Sequence, residues 1–388
     1  MGKIGIITMY TNSKNYGGIL QAFALQKIIT KLGFETEQIS FEKEQITSNR
    51  KKRITFVKLL KYPFRLARTY RKKYIDKKKC IDKELRNKKF KEFENTISHS
   101  EKVFHSGNIH ECNAIYDIFV TGSDQVWNMN WYSSHYFLDF VSSEKYRFSY
   151  AASMPNINLS LEQEDIVKKH LKNFNSVSVR EKKTADYLSK LLNREVQWTL
   201  DPTLLLDKDD WNEICSERII NEEYIFCYFL GTDKFMRNEA KRFARKKKVK
   251  IVMLPYLCGV NFVDSKFGDI RLYDVSPNDF ISLIKYASYV ITDSFHACVF
   301  SNIYDVKYFV FDRIGGGEMN ERIFSLLDLF DAKERFCVNE KKCLLKKYDL
   351  PLSNNKSEFY YQKEKSLKFL LDNLKAAQNN YNKHEDSK

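Results

Sequence analysis

Residues Tyr289 to Ser301 read Y-V-I-T-D-S-F-H-A-C-V-F-S. The apolar run Tyr289-Val290-Ile291 is short and β-branched, as a buried strand requires, and Thr292, Asp293 and Ser294 supply candidate N-caps for a following helix. A strand-to-helix turn of this kind in a parallel sheet opens at the carboxyl edge. There the unpaired first amides of the helix and its positive dipole end face the crevice used for ligands. Anions are favoured at such a place, and His296, in the first helical turn, can exchange protons with one. Helix capping alone also accounts for Asp293 and Ser294, and a satisfied surface histidine for His296.

The surrounding residues repeat the pattern. Upstream run a strand over Tyr224–Leu230, a helix over 234–247, a strand over 249–254 and a helix over 277–287. Downstream, a strand over 307–312 ends at Arg313 and the G-G-G of 315–317, and Met319-Asn320-Glu321-Arg322 opens another helix. Arg313 and Arg322 thus fall near the same edge. The alternation predicts a parallel-sheet domain over 207–388, whose tail from Lys363 to Ala377 is helical by pattern.

A second series precedes it. Lys3 to Thr8 predicts a buried strand, followed by the loop T-N-S-K-N-Y-G-G and by a helix from Ile19 with apolar residues at 20, 24, 25, 28 and 29. Gly33 ends that helix and Glu35 to Phe41 resumes as a strand. The glycine pair Gly17-Gly18 lets a ligand approach the backbone, although turn geometry alone also accounts for it, and the motif is not G-x-G-x-x-G. The strand Ala114–Gly122 ends in G-S-D-Q-V-W-N, placing Ser123, Asp124 and Gln125 at a carboxyl end. An acid there can take a proton from a hydroxyl, and a turn cap is the plainer role for Asp124. Further strands are expected over Tyr146–Ser153, Ser176–Arg180 and Glu195–Thr199, with Arg180 a forked donor for carboxylate or phosphate at its strand's end. This domain spans 1–206.

With 388 residues, 43% hydrophobic, both domains can build a core. The scarcity of Gly and Pro, 13 and 6, beside 29 Phe and 23 Tyr excludes collagen-like and low-complexity classes. The N-terminus shows no basic, apolar and cleavage-site pattern of a signal peptide, and the longest apolar run, Tyr224–Leu230, falls short of the roughly 18 residues of a spanning helix. Cysteines 80, 112, 215, 227, 258, 298, 337 and 343 show no C-x-x-C spacing, so the expectation is inert thiols in a cytoplasmic protein without a zinc site.

Charge is concentrated in one place. Between Asn49 and Lys91, 19 lysines and arginines stand against Asp76, Asp82 and Glu84, a net of +16, while the rest of the chain sums to −1. Ile54, Val57, Leu60, Phe64, Ala67, Tyr70 and Tyr74 recur among them at helical spacing, predicting a basic amphipathic helical insertion over about 49–95, kinked at Pro63. A solvated insertion, an interfacial helix on anionic lipid and a nucleic-acid patch all fit the charge, but no nucleic-acid motif accompanies it.

Five blocks together resemble the polysaccharide pyruvyl transferase family: Asn15-Tyr16-Gly17-Gly18-Ile19-Leu20-Gln21, Gly122-Ser123-Asp124-Gln125-Val126-Trp127, Ser178-Val179-Arg180-Glu181, Asp201 to Leu206, and Ile291 to His296. The resemblance implies an α/β chain of two Rossmann-like domains facing across a cleft, GT-B-like, that moves pyruvate from phosphoenolpyruvate onto a sugar as a ketal, with neither cofactor nor metal. It also marks Asn15, Tyr16, Gly17, Gly18, Gln21 and Gln125 as substrate contacts. Some members carry Arg-Leu-His where this chain has Ser294-Phe295-His296. Arg180, with Arg313 or Arg322, is therefore assigned to the donor's phosphate and carboxylate, beside Asp293 and Ser294. His296 is assigned as general acid and Asp124 as base. The implied acceptor is a saccharide, polyprenyl-linked if the basic helix lies on the inner membrane face. A GT-B glycosyltransferase using a nucleotide sugar and a non-catalytic basic binding module are the competing functions.

Overall fold

The computed structural model describes residues 2–42, 83–255, 262–313, 320–338, 340, 342–347, 350–352 and 355–385. Most of the expected basic insertion, from 49 to 82, lies outside them. Helices α1 (Tyr16–Lys31), α2 (83–94), α3 (Leu161–Leu171), α4 (Lys182–Leu192), α5 (Lys208–Asn212), α6 (Lys234–Lys247), α7 (Pro277–Lys285), α8 (Phe295–Ile303), α9 (Glu321–Leu329), α10 (Cys343–Lys346) and α11 (Ser357–Glu385) surround two sheets.

Each sheet starts from a strand whose every residue is buried, β1 (Ile4–Ile7) in the first and β7 (Tyr224–Tyr228) in the second. Such strands need cover on both faces, which helices supply only around a parallel sheet. In the first, β1 pairs in parallel with β2 (Thr36–Gln38) and β3 (Ile118–Thr121), and β3 with β4 (Tyr146–Ser149). Parallel bridges Phe148 to Ser176 and Ala152 to Val179 carry it on to β5 (Ser178–Val179) and β6 (Gln197–Trp198). The second sheet adds β8 (Lys250–Leu254), β9 (Ile270–Arg271), β10 (Tyr289–Thr292), β11 (Tyr308–Phe311) and β12 (Phe336–Cys337) in the order β12-β11-β10-β7-β8-β9. Counted from its own first strand, this order reverses between β7 and β10. That is the switch point at which doubly wound sheets open a binding crevice.

The last helix differs from expectation. It is longer than 363–377, and it packs on the first sheet rather than the second. Leu200 N donates to Ser366 Oγ at 3.0 Å, Tyr146 Oη to Asn373 Oδ1 at 3.2 Å and Gly2 N to Gln378 Oε1 at 3.1 Å. The reason is its stripe Leu370, Leu374 and Ala377, spaced for one helix face and fully buried, which finds its cover beside β4. The chain therefore crosses between the domains twice. Among the described residues no helix is long and apolar enough to span a membrane.

The domains share core as well as chain. Tyr16 extends from the start of α1 into the second domain, stacking on Phe280 of α7 with centroids 4.6 Å apart and meeting Tyr228 edge-on at 5.8 Å. Its hydroxyl donates to Val275 O at 2.9 Å. Its ring and hydroxyl are thus committed to the domain interface. We expect Tyr16→Phe to cost about 1 kcal/mol, the net value of one buried hydrogen bond, and Tyr16→Ala about 3–5 kcal/mol through the cavity left between domains. Urea unfolding of both variants checks this, and equal losses would deny the ring its role.

Candidate active site

Helix α1 begins at Tyr16, three residues before the expected start. Asn15 caps it, its side-chain oxygen accepting from Gly17 N at 3.1 Å. Gly17 and Gly18 therefore lie in a helical first turn, not in a loop. What they permit is close approach: a Cβ on Gly17 would sit 1.9 Å from His296 Nδ1, and one on Gly18 3.4 Å from Asp124 Oδ2. Gln21 follows on the same helix, fully buried. Its amide donates to Thr8 Oγ1 at 3.0 Å and to Gly18 O at 2.8 Å, and its oxygen accepts from Ser123 N at 3.0 Å. It thereby fastens the turn after β1 to the turn after β3. Gln125 is also buried, its oxygen accepting from Asn128 Nδ2 at 3.0 Å.

On the second domain, Ser294 caps α8 and lies buried. Asp293 is committed elsewhere. Its carboxylate accepts from Leu230 N at 2.6 Å and Gly231 N at 2.7 Å, both just after β7, and from Arg313 Nε at 3.1 Å. Arg313 also donates to Asp293 O at 2.9 Å. This pair knits together the two strands at the switch point, so Asp293 and Arg313 serve the scaffold. Arg322, at the start of α9, is the cation left over.

Arg180, His296, Asp124 and Arg322 come together where the carboxyl edge of the first sheet meets the N-terminus of α8. Arg180 is 3% exposed. It donates to Asp201 Oδ2 at 2.6 Å, with Glu181 3.6 Å from its Nε and Asp124 3.7 Å from its Nη2. Both guanidinium groups lie over the Phe295 ring, Arg180 at 4.7 Å and Arg322 at 5.8 Å from the centroid. His296 Nε2 stands 3.5 Å from Asp201 Oδ2. Four buried polar atoms here have no hydrogen-bond partner among the described residues on the cationic side: Arg180 Nε and Nη2, Arg322 Nε and His296 Nε2.

Burial opposes each charge, and the neighbours decide the outcome. For Arg180, burial is outweighed by Asp201, Glu181 and Asp124, which raise its pKa. For Arg322 the balance falls the other way: burial and the adjacent Arg180 cation outweigh Asp124 and Glu181 and push it down to about 10. Burial would lift Asp201, but His296 and Arg180 beside it hold the carboxyl well below the usual range. Glu181 and Asp201 received no role from sequence, although they come two and three residues after strands β5 and β6, at the same edge that drew attention to Arg180. The arrangement can seat a small anion with more than one negative group between Arg180 and Arg322, within reach of a histidine and a carboxylate.

The six described cysteines are free, and burial pushes the Cys298 thiol up, out of nucleophilic range. Among the described residues no three His, Cys, Asp or Glu side chains are grouped to hold a metal ion.

The profile of the family described as polysaccharide pyruvyl transferase matches residues 15–313. No curated protein matches the chain in sequence. Among solved structures, a UDP-N-acetylglucosamine 2-epimerase from Rickettsia bellii is similar with a TM-score of 0.54 at 9% identity, over 97% of this chain and 96% of that one. The UDP-GlcNAc 2-epimerase from Methanocaldococcus jannaschii is similar at 0.51 and 11%, over 92% and 98%. At such identities the likeness is one of fold, two Rossmann-like domains of GT-B type.

Arg322 forms no ion pair among the described residues, which generates a test. Arg322→Met should stabilise the free protein by about 1–3 kcal/mol, since a buried cation with a depressed pKa is replaced by an apolar chain. Inorganic phosphate at about 100 times its Kd should stabilise the wild type by about 2.7 kcal/mol and the variant hardly at all. Thermal unfolding with and without phosphate reads both, and an equal phosphate effect in the two proteins would remove Arg322 from the anion site.

Proposed function

The chain belongs to the polysaccharide pyruvyl transferase family, and from that premise we propose that the crevice binds phosphoenolpyruvate and passes its pyruvyl group to two hydroxyls of a saccharide as a ketal. The observation that carries the proposal is the pair of buried arginines over Phe295 with nitrogens left unpartnered, beside a histidine at a helix N-terminus. Phosphoenolpyruvate carries a carboxylate and a phosphate on adjacent positions, which suits two forked cations set side by side.

The residues then divide the work. His296 gives a proton to the methylene carbon, which becomes the methyl group, and the neighbouring carbon turns cationic. A first acceptor hydroxyl bonds to that carbon while its proton passes to Asp124. A second hydroxyl closes the ring as the carbon–oxygen bond to phosphate breaks, and its proton leaves with the phosphate. Arg180, Arg322 and the first amides of α8 stabilise the charge on the departing group. Asp124, at φ 60° beside Gly18, has its carboxylate on the first-domain side, where the acceptor would enter.

The acceptor belongs to cell-surface polysaccharide synthesis in this proposal. The net +16 between Asn49 and Lys91 suits a polyprenyl-linked sugar at the cytoplasmic membrane face, each well-placed cation being worth about 1 kcal/mol against anionic lipid. Deleting residues 50–79 should abolish binding to anionic vesicles and spare donor affinity, and unchanged vesicle binding would dismiss the membrane.

Calorimetric titration of phosphoenolpyruvate and of a panel of nucleotide sugars tests the donor. Saturable phosphoenolpyruvate binding is expected, weakened about 30-fold or more by Arg180→Ala, as for loss of a buried charge contact. His296→Ala should bind the donor yet lose about 10²–10⁴-fold in turnover. Nucleotide-sugar binding without phosphoenolpyruvate binding would keep the fold and favour a glycosyltransferase.

A further inference from the structure

Asp201 belongs to no step of the mechanism above, yet it is the most heavily engaged carboxylate of the site. It follows β6 on the first domain and is 1% exposed. Oδ1 accepts from Thr203 N at 3.0 Å and Thr203 Oγ1 at 2.6 Å, which fixes the plane of the carboxylate. Oδ2 accepts from Arg180 Nη1 at 2.6 Å and from Ser123 Oγ at 3.3 Å, and it faces His296 Nε2 at 3.5 Å. One oxygen thus meets the donor-side arginine and the histidine of the opposite domain.

The other ring nitrogen is closed off. His296 Nδ1 packs on Gly17 so tightly that a Cβ there would overlap it at 1.9 Å. Nε2 is therefore the nitrogen that faces the cluster, and a proton must come and go through it. The charged groups around the ring are Asp201 at Nε2, Arg180 behind Asp201, Arg322 across Phe295, Asp124 beyond Gly18, and Asp293 on the ring's own turn, already engaged by Arg313. Asp201 is the acidic group of this set that forms a close pair with the imidazole.

We propose that Asp201 is the positioning residue of this site: it fixes the orientation of the His296 ring through Nε2 while locking Arg180, so that the acid and the donor-side cation are held in register. The role rests on the pyruvyl-transfer reading. Asp201 touches neither donor nor acceptor and acts through the two residues it holds. The carboxylate, held in plane by Thr203, gives the imidazole one fixed partner and fixes the guanidinium assigned to the donor. Since His296 comes from the second domain and both groups that orient it from the first, the acid is in place only with the domains together as observed.

The test uses the full chain and Asp201→Asn, which keeps the shape and an acceptor oxygen for Arg180 but removes the charge. The expected result is a folded protein with a Tm within a few degrees of wild type, a phosphoenolpyruvate KM raised less than about tenfold, and a kcat lowered about 100-fold. At one fixed pH, the isotope-labelled ring resonances of His296 in the substrate-free protein should shift or broaden as the ring loses its fixed partner. A purely structural Asp201 would lower kcat only with the folded fraction and leave the His296 ring resonances unmoved, which would overturn the proposal. Thr203→Val, which removes one bond to Oδ1, should show the same shifts at smaller size, and it carries the test if Asp201→Asn does not fold. Absence of phosphoenolpyruvate turnover in the wild type would sink the functional reading instead, while the substrate-free ring resonances still decide the role of Asp201.

Discussion

Gly17 and His296 occupy adjoining space so closely that a single added Cβ would fall 1.9 Å from the imidazole. The rest of the site depends on that contact, because it brings the N-terminus of α1 in one domain against the N-terminus of α8 in the other. Two helix starts, each with unpaired amides and a positive dipole end, then face one crevice. Tyr16, one residue earlier, supplies the apolar half of the same junction by stacking on Phe280. Asn15 and Gln21 on either side fix where α1 starts and how it meets the turn after β3. A short segment therefore works as the seam of the whole molecule.

Charge burial at the seam is poor design for stability alone. Ion pairs taken out of water gain little over apolar packing, and an unpaired buried cation is a net cost. Arg180 meets three carboxylates, whereas Arg322 shares its aromatic ring with another cation and is left with a depressed pKa. The carboxylates keep Arg180 ionised without using up its Nε and Nη2. Such an arrangement is retained where an incoming anion completes it. The phosphate and carboxylate of one small donor would supply acceptors for the guanidinium nitrogens left without one.

The fold was largely legible because strands buried on both faces must be continuous apolar runs, as at Ile4–Ile7, Tyr224–Tyr228 and Tyr289–Thr292. The start of α1 was not, since a glycine pair signals a turn unless the space it must vacate is known, and that space belongs to a histidine 279 positions later. The destination of α11 was hidden for a similar reason: Leu370, Leu374 and Ala377 announce a helix face but not which sheet will cover it. For the site, Arg180, Asp124 and His296 could be found as polar residues at strand ends. Glu181 and Asp201 stand at equivalent ends, but next to an arginine and a proline they resemble an ordinary helix start and turn cap.

The choice between Arg313 and Arg322 shows where sequence stops and geometry must take over. Both are arginines shortly after the same strand, β11, and nothing in their spacing distinguishes them. Asp293 does. Sitting directly after β10, it must satisfy the free amides of Leu230 and Gly231 across the switch point, and a carboxylate doing so needs a counter-cation, which Arg313 provides from the next strand over. Arg322, in the first turn of α9, is thereby released from scaffold duty and left over Phe295. The aromatic ring at position 295 is the surface on which Arg180 and Arg322 are brought together, so that the second cation comes to the crevice from α9.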